Sequence, residues 1–331
     1  MSAVRTNPPR EGLATLYSPI ESDLVEVDRI LREQLRSQVS FIDELTARVR
    51  LYQGKRIRPA LLLLTAHACG QVHREHYVLG AVIEMIHAAT LVHDDLLDEA
   101  DTRRHVTTVH AEWGTEAGVL LGDYLFSQAY YLAATLDTVE GCRIIGQATN
   151  QTCEGELLQI SRRGYFELST DEYIRIVAGK TAELISCGCL LGAKFAGSDA
   201  KVIQALAAYG RNLGIAFQIA DDILDLIGEP TSTGKSIGTD WVKRKMTLPL
   251  IRLRESSTSE QVDKLRQLFE DSTDRRRELL TWLKSTDAIN FSQSIAEQYA
   301  EAAANQLECL PPSTARDRLH QIAKFAARRA F

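Results

Sequence analysis

Eight prolines, at positions 8, 9, 19, 59, 230, 249, 311 and 312, leave the interval from Ala60 to Glu229 without any. Proline fixes φ and removes the amide donor that an interior helical turn needs, so an interval this long without one is permissive for long helices. Inside it, apolar residues recur at helical spacing: Val78, Val82, Met85, Ile86 and Ala89, then Val92, Leu96 and Leu97. Strand-like alternation is hard to find. Ser169 with Glu172, and Thr258 with Gln261, have the form of a capping box ahead of an apolar run. Gly164 and the segment from Glu229 to Gly238 read as connections. No Pro/Gly/Ser-rich linker and no solenoid-like repeat divides the chain. The expected architecture is all-α: one large helical bundle of roughly ten or more helices, spanning residues 21–331 behind an N-terminal tail of residues 1–20.

Composition narrows the partners. With 331 residues, 45% hydrophobic and 25% charged, the chain has the makings of a globular protein with a sizeable core. A net charge of −6 with no basic face argues against nucleic-acid binding. The six cysteines, at 69, 142, 153, 187, 189 and 309, lack zinc-site or disulfide-framework spacing and read as reduced, buried thiols. Met1 to Gly12 shows no apolar core of a signal peptide, and no run of about 18 apolar residues appears. The expected location is the cytoplasm, with no transmembrane segment.

Two carboxylate clusters stand out against that modest acidity. Asp94-Asp95-Leu96-Leu97-Asp98, followed by Arg103-Arg104, is repeated as Asp221-Asp222-Ile223-Leu224-Asp225. On a helix the first and last aspartates of each motif share a face, about 6 Å apart along the axis. Oxygen donors so placed suit magnesium, which keeps several waters and is held by one or two carboxylates plus substrate phosphates. One such motif alone is more often a solvated charged face. Both copies, however, follow apolar sequence, Ala88-Ala89-Thr90-Leu91-Val92 and Gly214-Ile215-Ala216-Phe217, which favours a cavity wall. If the two helices face one another, Asp94, Asp95, Asp98, Asp221, Asp222 and Asp225 converge, and they cannot all stay ionised without positive charge nearby. The EF-hand calcium pattern is absent. A di-iron bundle would need a second copy of the Glu84/His87 pair, and none occurs.

Gly54-Lys55-Arg56-Ile57-Arg58-Pro59 supplies three cations at a prospective helix start, which suits an anion site, although by itself it reads more readily as a solvated loop. Taken with Gly122-Asp123-Tyr124-Leu125, Gly155-Glu156-Leu157-Leu158-Gln159, Lys180-Thr181, Phe217-Gln218, Gly234-Lys235, Lys245 and the two aspartate motifs, it resembles the trans-isoprenyl diphosphate synthases, also called polyprenyl synthetases, and in particular their long-chain members. The matches run in family order from about residue 40 to Leu310-Pro311-Pro312-Ser313.

That resemblance implies the isoprenoid synthase fold with a deep central cavity, a homodimer, and magnesium as cofactor, about two or three ions with manganese as a substitute. It implies that Lys55, Arg58, His87 and Arg104 hold the diphosphate of isopentenyl diphosphate. The allylic diphosphate falls to Arg103, Lys180, Lys235 and Lys245, with Thr181 and Gln218 as neutral contacts. Asp94, Asp98 and Asp221, with Lys180 and Arg103, would carry the chemistry: diphosphate leaves, the isopentenyl double bond attacks the allylic cation, and a proton is lost. No protein nucleophile is needed, and no Ser-His-Asp or Cys-His set is evident. After Arg104 the family commonly has glycine, a small residue and proline, whereas this chain reads His105-Val106-Thr107-Thr108, which leaves that loop's conformation open.

In the family, product length is set on the helix that carries the first motif. Ala89, five residues before Asp94, and Ala88 leave the passage open where short-chain members have an aromatic residue. The expected product has about six to ten isoprene units in an apolar passage, with Met85 and Tyr130 or Tyr131 as candidates for a lower stop. The alternatives are a shorter-chain farnesyl or geranylgeranyl diphosphate synthase and the catalytic subunit of a heteromeric synthase. A terpene cyclase would not need Lys55, Arg58 and Arg104, and a regulatory subunit would not need complete aspartate motifs. Transient membrane contact is expected only at release of so greasy a product.

Overall fold

The proline-free interval forms four long helices, of 24, 19, 22 and 28 residues. They belong to a computed structural model that describes residues 13–52, 54–228, 238–271 and 275–327. In chain order the helices are α1 (Leu13–Tyr17), α2 (Glu21–Gln34), α3 (Ser40–Leu51), α4 (Ile57–Cys69), α5 (Arg74–Leu97), α6 (Val109–Trp113), α7 (Thr115–Ala133), α8 (Glu140–Ser161), α9 (Thr170–Val177), α10 (Glu183–Phe195), α11 (Ala200–Ile227), α12 (Thr239–Val242), α13 (Leu248–Glu255), α14 (Ser259–Glu270), α15 (Arg276–Lys284), α16 (Ala288–Gln306) and α17 (Thr314–Ala327). Pro59 and Pro249 lie in the first turns of α4 and α13, where a missing amide donor costs nothing. Both capping boxes form, Ser169 with Glu172 at the start of α9 and Thr258 with Gln261 at the start of α14.

Two apolar clusters make the core. One gathers α2, α3, α4, α5, α7, α10, α17 and the first half of α11; the other gathers α9, α13, α14, α15 and the second half of α11. The 28-residue α11 therefore runs through both. Ordered packing starts before residue 21, because Leu16 and Ile20 are buried at 2% and 0% exposure. Part of the expected tail thus belongs to the core. The stretch Thr170–Phe195 is long and apolar enough to cross a bilayer by composition, yet 72% of that window is buried inside the protein, as befits a core helix. All six cysteines are free; Cys187 and Cys189 are buried, while Cys153 is exposed.

The only strands among the described residues are β1 (Thr102–Arg103) and β2 (Val106–Thr107), paired antiparallel with Thr102 opposite Thr107. Arg104 and His105 join them at φ 51° and 65°. Two consecutive left-handed residues make a type I′ hairpin turn, whose twist matches the strands. A glycine at 105 would adopt this backbone freely, whereas His105 adopts it under strain. His105→Gly should therefore stabilise the protein by about 0.5–1 kcal/mol, the relief of left-handed strain exceeding glycine's entropy cost. The check is a thermal midpoint raised by about 1–3 °C.

Candidate active site

Between the two apolar clusters lies a cavity of about 2590 Å³. Its far wall depends on one local irregularity. Helix α9 passes into α10 through a π-helical turn, Ala178–Ala182, which carries Lys180 and Thr181. Such turns admit an extra residue and re-aim the side chains on it. This one lies directly on α8: a Cβ at Gly155 would strike the Lys180 amide nitrogen and the Gly179 backbone, so only glycine lets the two backbones meet. Lys180 Nζ pairs with Glu156 Oε2 at 2.5 Å, and Thr181 Oγ1 donates to Gln218 Oε1 at 2.8 Å.

Both aspartate motifs line this cavity, along with Lys55, Arg58, His87, Arg103, Arg104 and Lys245. Their carboxylates are not equivalent. The second aspartate of each motif is committed to the wall. Asp95, 2% exposed, accepts from Arg103 Nε at 2.6 Å. Asp222, 5% exposed, accepts from Tyr173 Oη at 2.7 Å and Gln218 Nε2 at 2.8 Å. Burial, then the nearby Asp240, pushes the Asp222 carboxyl up to about 8 against those two hydrogen bonds. One Asp95 oxygen and both Asp222 oxygens thus hold other side chains in place, which sets these two apart within the six converging carboxylates expected from the sequence. Asp225 is likewise engaged, accepting from Thr239 and Asp240 at the start of α12.

Asp94, Asp98 and Asp221 line the cavity at the motif ends, as Asp225 does. Burial raises Asp94, opposed by Lys180. For Asp98, burial is outweighed by the hydrogen bond from Lys243 and by the charges of Lys245, Lys243 and Lys180, and its carboxyl is held below the usual range. Among the described residues no three His, Cys, Asp or Glu side chains are gathered closely enough to hold an ion alone. The hard oxygen donors fit a divalent ion that shares its coordination with phosphate oxygens. An ammonium already stands on one of them, with Lys243 Nζ 2.7 Å from Asp98 Oδ1. Sequence reasoning missed Lys243, Asp240 and Tyr173, and it gave Glu156 no role. The run Lys243-Arg244-Lys245 was a visible signal for the first, while nothing marked Tyr173.

The second cationic pole forms where α4 begins. Arg56 adopts φ 53° at the N-cap and pairs with Asp28 at 2.8 Å, Glu84 lying 3.8 Å away. Burial lowers the pKa of Arg58, opposed by Glu84, and its buried Nε has no hydrogen-bond partner. Glu84 is raised by burial against Arg56 and Arg58, so the Glu84/His87 pair belongs to this cationic network. His87 is pushed well below its usual value by burial and by Arg58, Arg103 and Arg104, so its ring is neutral. Arg104 Nη1 donates to the Tyr52 carbonyl, and a Cβ on Gly54 would meet its guanidinium at 2.5 Å. An anion entering here meets a poorly compensated buried donor.

Of the expected length-setting residues, only Ala88 lines the cavity; α5 turns Glu84, His87, Ala88, Leu91 and Asp94 towards it. Met85 and Ala89 are fully buried on the stripe that packs into the core. Tyr131 is 67% exposed and Tyr130 packs against the core, so neither is a floor, whereas Phe126 from α7 does line the cavity. Lys235 lies outside the described residues.

A helical shell around an aspartate-lined, cation-rimmed cavity defines a class of enzyme that handles diphosphates bearing apolar tails, and comparison with known proteins agrees. The polyprenyl synthetase family model matches residues 40–285. The octaprenyl diphosphate synthase of Escherichia coli is 33% identical over 309 residues, 93% of this chain and 96% of that protein. Among solved structures, a polyprenyl synthase from Caulobacter crescentus complexed with calcium and isoprenyl diphosphate superposes with a TM-score of 0.92 at 32% identity, covering 98% of this chain and 100% of its own. A decaprenyl diphosphate synthase from Rhodobacter capsulatus gives a TM-score of 0.91 at 30% identity, covering 97% and 100%. The chain belongs to the polyprenyl synthetase family and is a prenyltransferase with the all-α isoprenoid synthase fold.

Proposed function

We propose that the protein is an all-trans polyprenyl diphosphate synthase that condenses isopentenyl diphosphate head-to-tail with an allylic diphosphate to give a long-chain product. The observation that carries this reading is that both aspartate motifs and both cationic poles line one cavity, which continues into apolar wall at Ala88, Leu91, Phe126 and Leu157. Asp94, Asp98 and Asp221 would hold magnesium, which supplies charge neutralisation to the allylic diphosphate when bound. Lys180 and Lys245 add fixed positive charge where negative charge develops on the leaving diphosphate. Arg58, Arg104, Lys55 and neutral His87 orient the isopentenyl diphosphate at the opposite pole. The apolar wall keeps water from the allylic cation, and the departing diphosphate accepts the proton. Leu120 and Tyr131, each at 67% exposure, give α7 an apolar outer face that fits a homodimer contact. The cytoplasm is the compartment that fits a chain with free thiols.

Incubation with labelled isopentenyl diphosphate and an allylic primer tests the reading. The expected result is incorporation of several labels, with chromatography of the dephosphorylated product giving about six to ten units from so open a passage. A hydrocarbon without label would sink it. Ala88→Phe should shorten the product, because a ring placed there fills the passage below Asp94. An unchanged length distribution would show that the tail runs elsewhere.

A further inference from the structure

The last aspartates of the two motifs are joined by a short strap. At one end the Asp225 carboxylate accepts from Thr239 N at 3.3 Å, Thr239 Oγ1 at 3.0 Å and Asp240 N at 3.0 Å, and the Asp225 carbonyl accepts from Gly238 N at 2.8 Å. These bonds seat the four-residue α12 on the end of α11. At its other end Lys243, the C-cap of α12, reaches Asp98 at the C-cap of α5, with Nζ 2.7 Å from Oδ1. Both side chains are about three-quarters covered, at 24% and 28% exposure, so the pair is better shielded from water than a surface ion pair. Lys245 sits alongside, paired with Asp240 at 3.1 Å.

We propose that Lys243 is a positioning residue: a tethered cation that occupies Asp98 until a divalent ion displaces it, so that metal entry releases the strap from α5. The inference rests on the reading of Asp98 as a metal ligand. An ammonium and a divalent ion repel when both stand at contact distance from one carboxylate oxygen. Metal binding therefore competes with the ion pair, and the free energy of the pair is subtracted from the metal's apparent affinity to the extent that the pair is lost. Before metal binds, Lys243 balances the charge of Asp98 and ties α12 to α5. After release, the segment bearing Asp240 and Lys245 is free to adjust to the diphosphate.

The test measures Mn²⁺ binding in the presence of inorganic diphosphate, by the electron paramagnetic resonance signal of free Mn²⁺, with no turnover. Lys243→Met should tighten Mn²⁺ about fivefold, the equivalent of ~1 kcal/mol for such a pair. Lys243→Arg should stay close to the parent. Arg244→Met controls for lost charge, since exposed Arg244 donates to the Glu270 carbonyl and the loss of its solvent-screened charge should change the affinity less than about twofold. The inference is overturned if Lys243→Met binds Mn²⁺ no more tightly than the parent, or if Arg244→Met tightens it equally. Asp98→Ala separates the two readings: if it binds Mn²⁺ as the parent does, Asp98 is no ligand and the underlying assignment fails instead. Thermal melting of each variant confirms folding.

Discussion

Alanine at Asp94 or at Asp221 lowers turnover on the order of 10³-fold or more, because each substitution removes a charge needed where the leaving group departs and water cannot substitute for it. The fold survives. Both side chains lie on the cavity face, and neither belongs to the apolar clusters. For Asp94 the expectation is sharper. Its carboxyl is raised by burial, so in the folded state the ionised form is disfavoured, and at neutral pH the group costs stability that would be recovered only on acidification through its raised pKa. Asp94→Ala should therefore melt at the same temperature as the parent or higher while turnover collapses. Steady-state rates at saturating magnesium, beside a thermal melt, check both halves. Near-normal turnover in both variants would remove the two-motif mechanism.

Arg58→Met lowers kcat/KM for isopentenyl diphosphate by about 100-fold, the loss of a charge-assisted contact in a desolvated site. KM for the allylic primer should change little. Methionine keeps much of the arginine stem, so packing beside α5 is largely retained. Initial rates with each substrate varied in turn make the measurement. An equal loss on the primer side would mean that the two diphosphate poles are assigned the wrong way round.

Helix positions and the two motifs were legible because both depend on spacing along the chain. Proline placement, the capping boxes and the i, i+4 aspartates require only local geometry. What spacing cannot supply is the partner. Asp95 meets Arg103 only because a hairpin folds back on α5, and Asp222 meets Tyr173 from a helix nearly fifty residues earlier. Ala88 and Ala89 differ by about 100° around the helix, and sequence that is apolar on both sides does not say which of the two faces the cavity. Lys243 stood in plain view beside Lys245, but its pairing with Asp98 depends on how α12 hangs from Asp225.

The bare main-chain contact of Gly155 with the Gly179–Lys180 peptide has a consequence for anyone redesigning this enzyme. It acts as a pin joint: with no side chain between the two segments to compress or repack, a Cβ added at Gly155 would force α8 away from the widened turn. Changes meant to narrow or widen the bore therefore belong at cavity-lining positions of α8 such as Cys153 and Leu157, and not at Gly155.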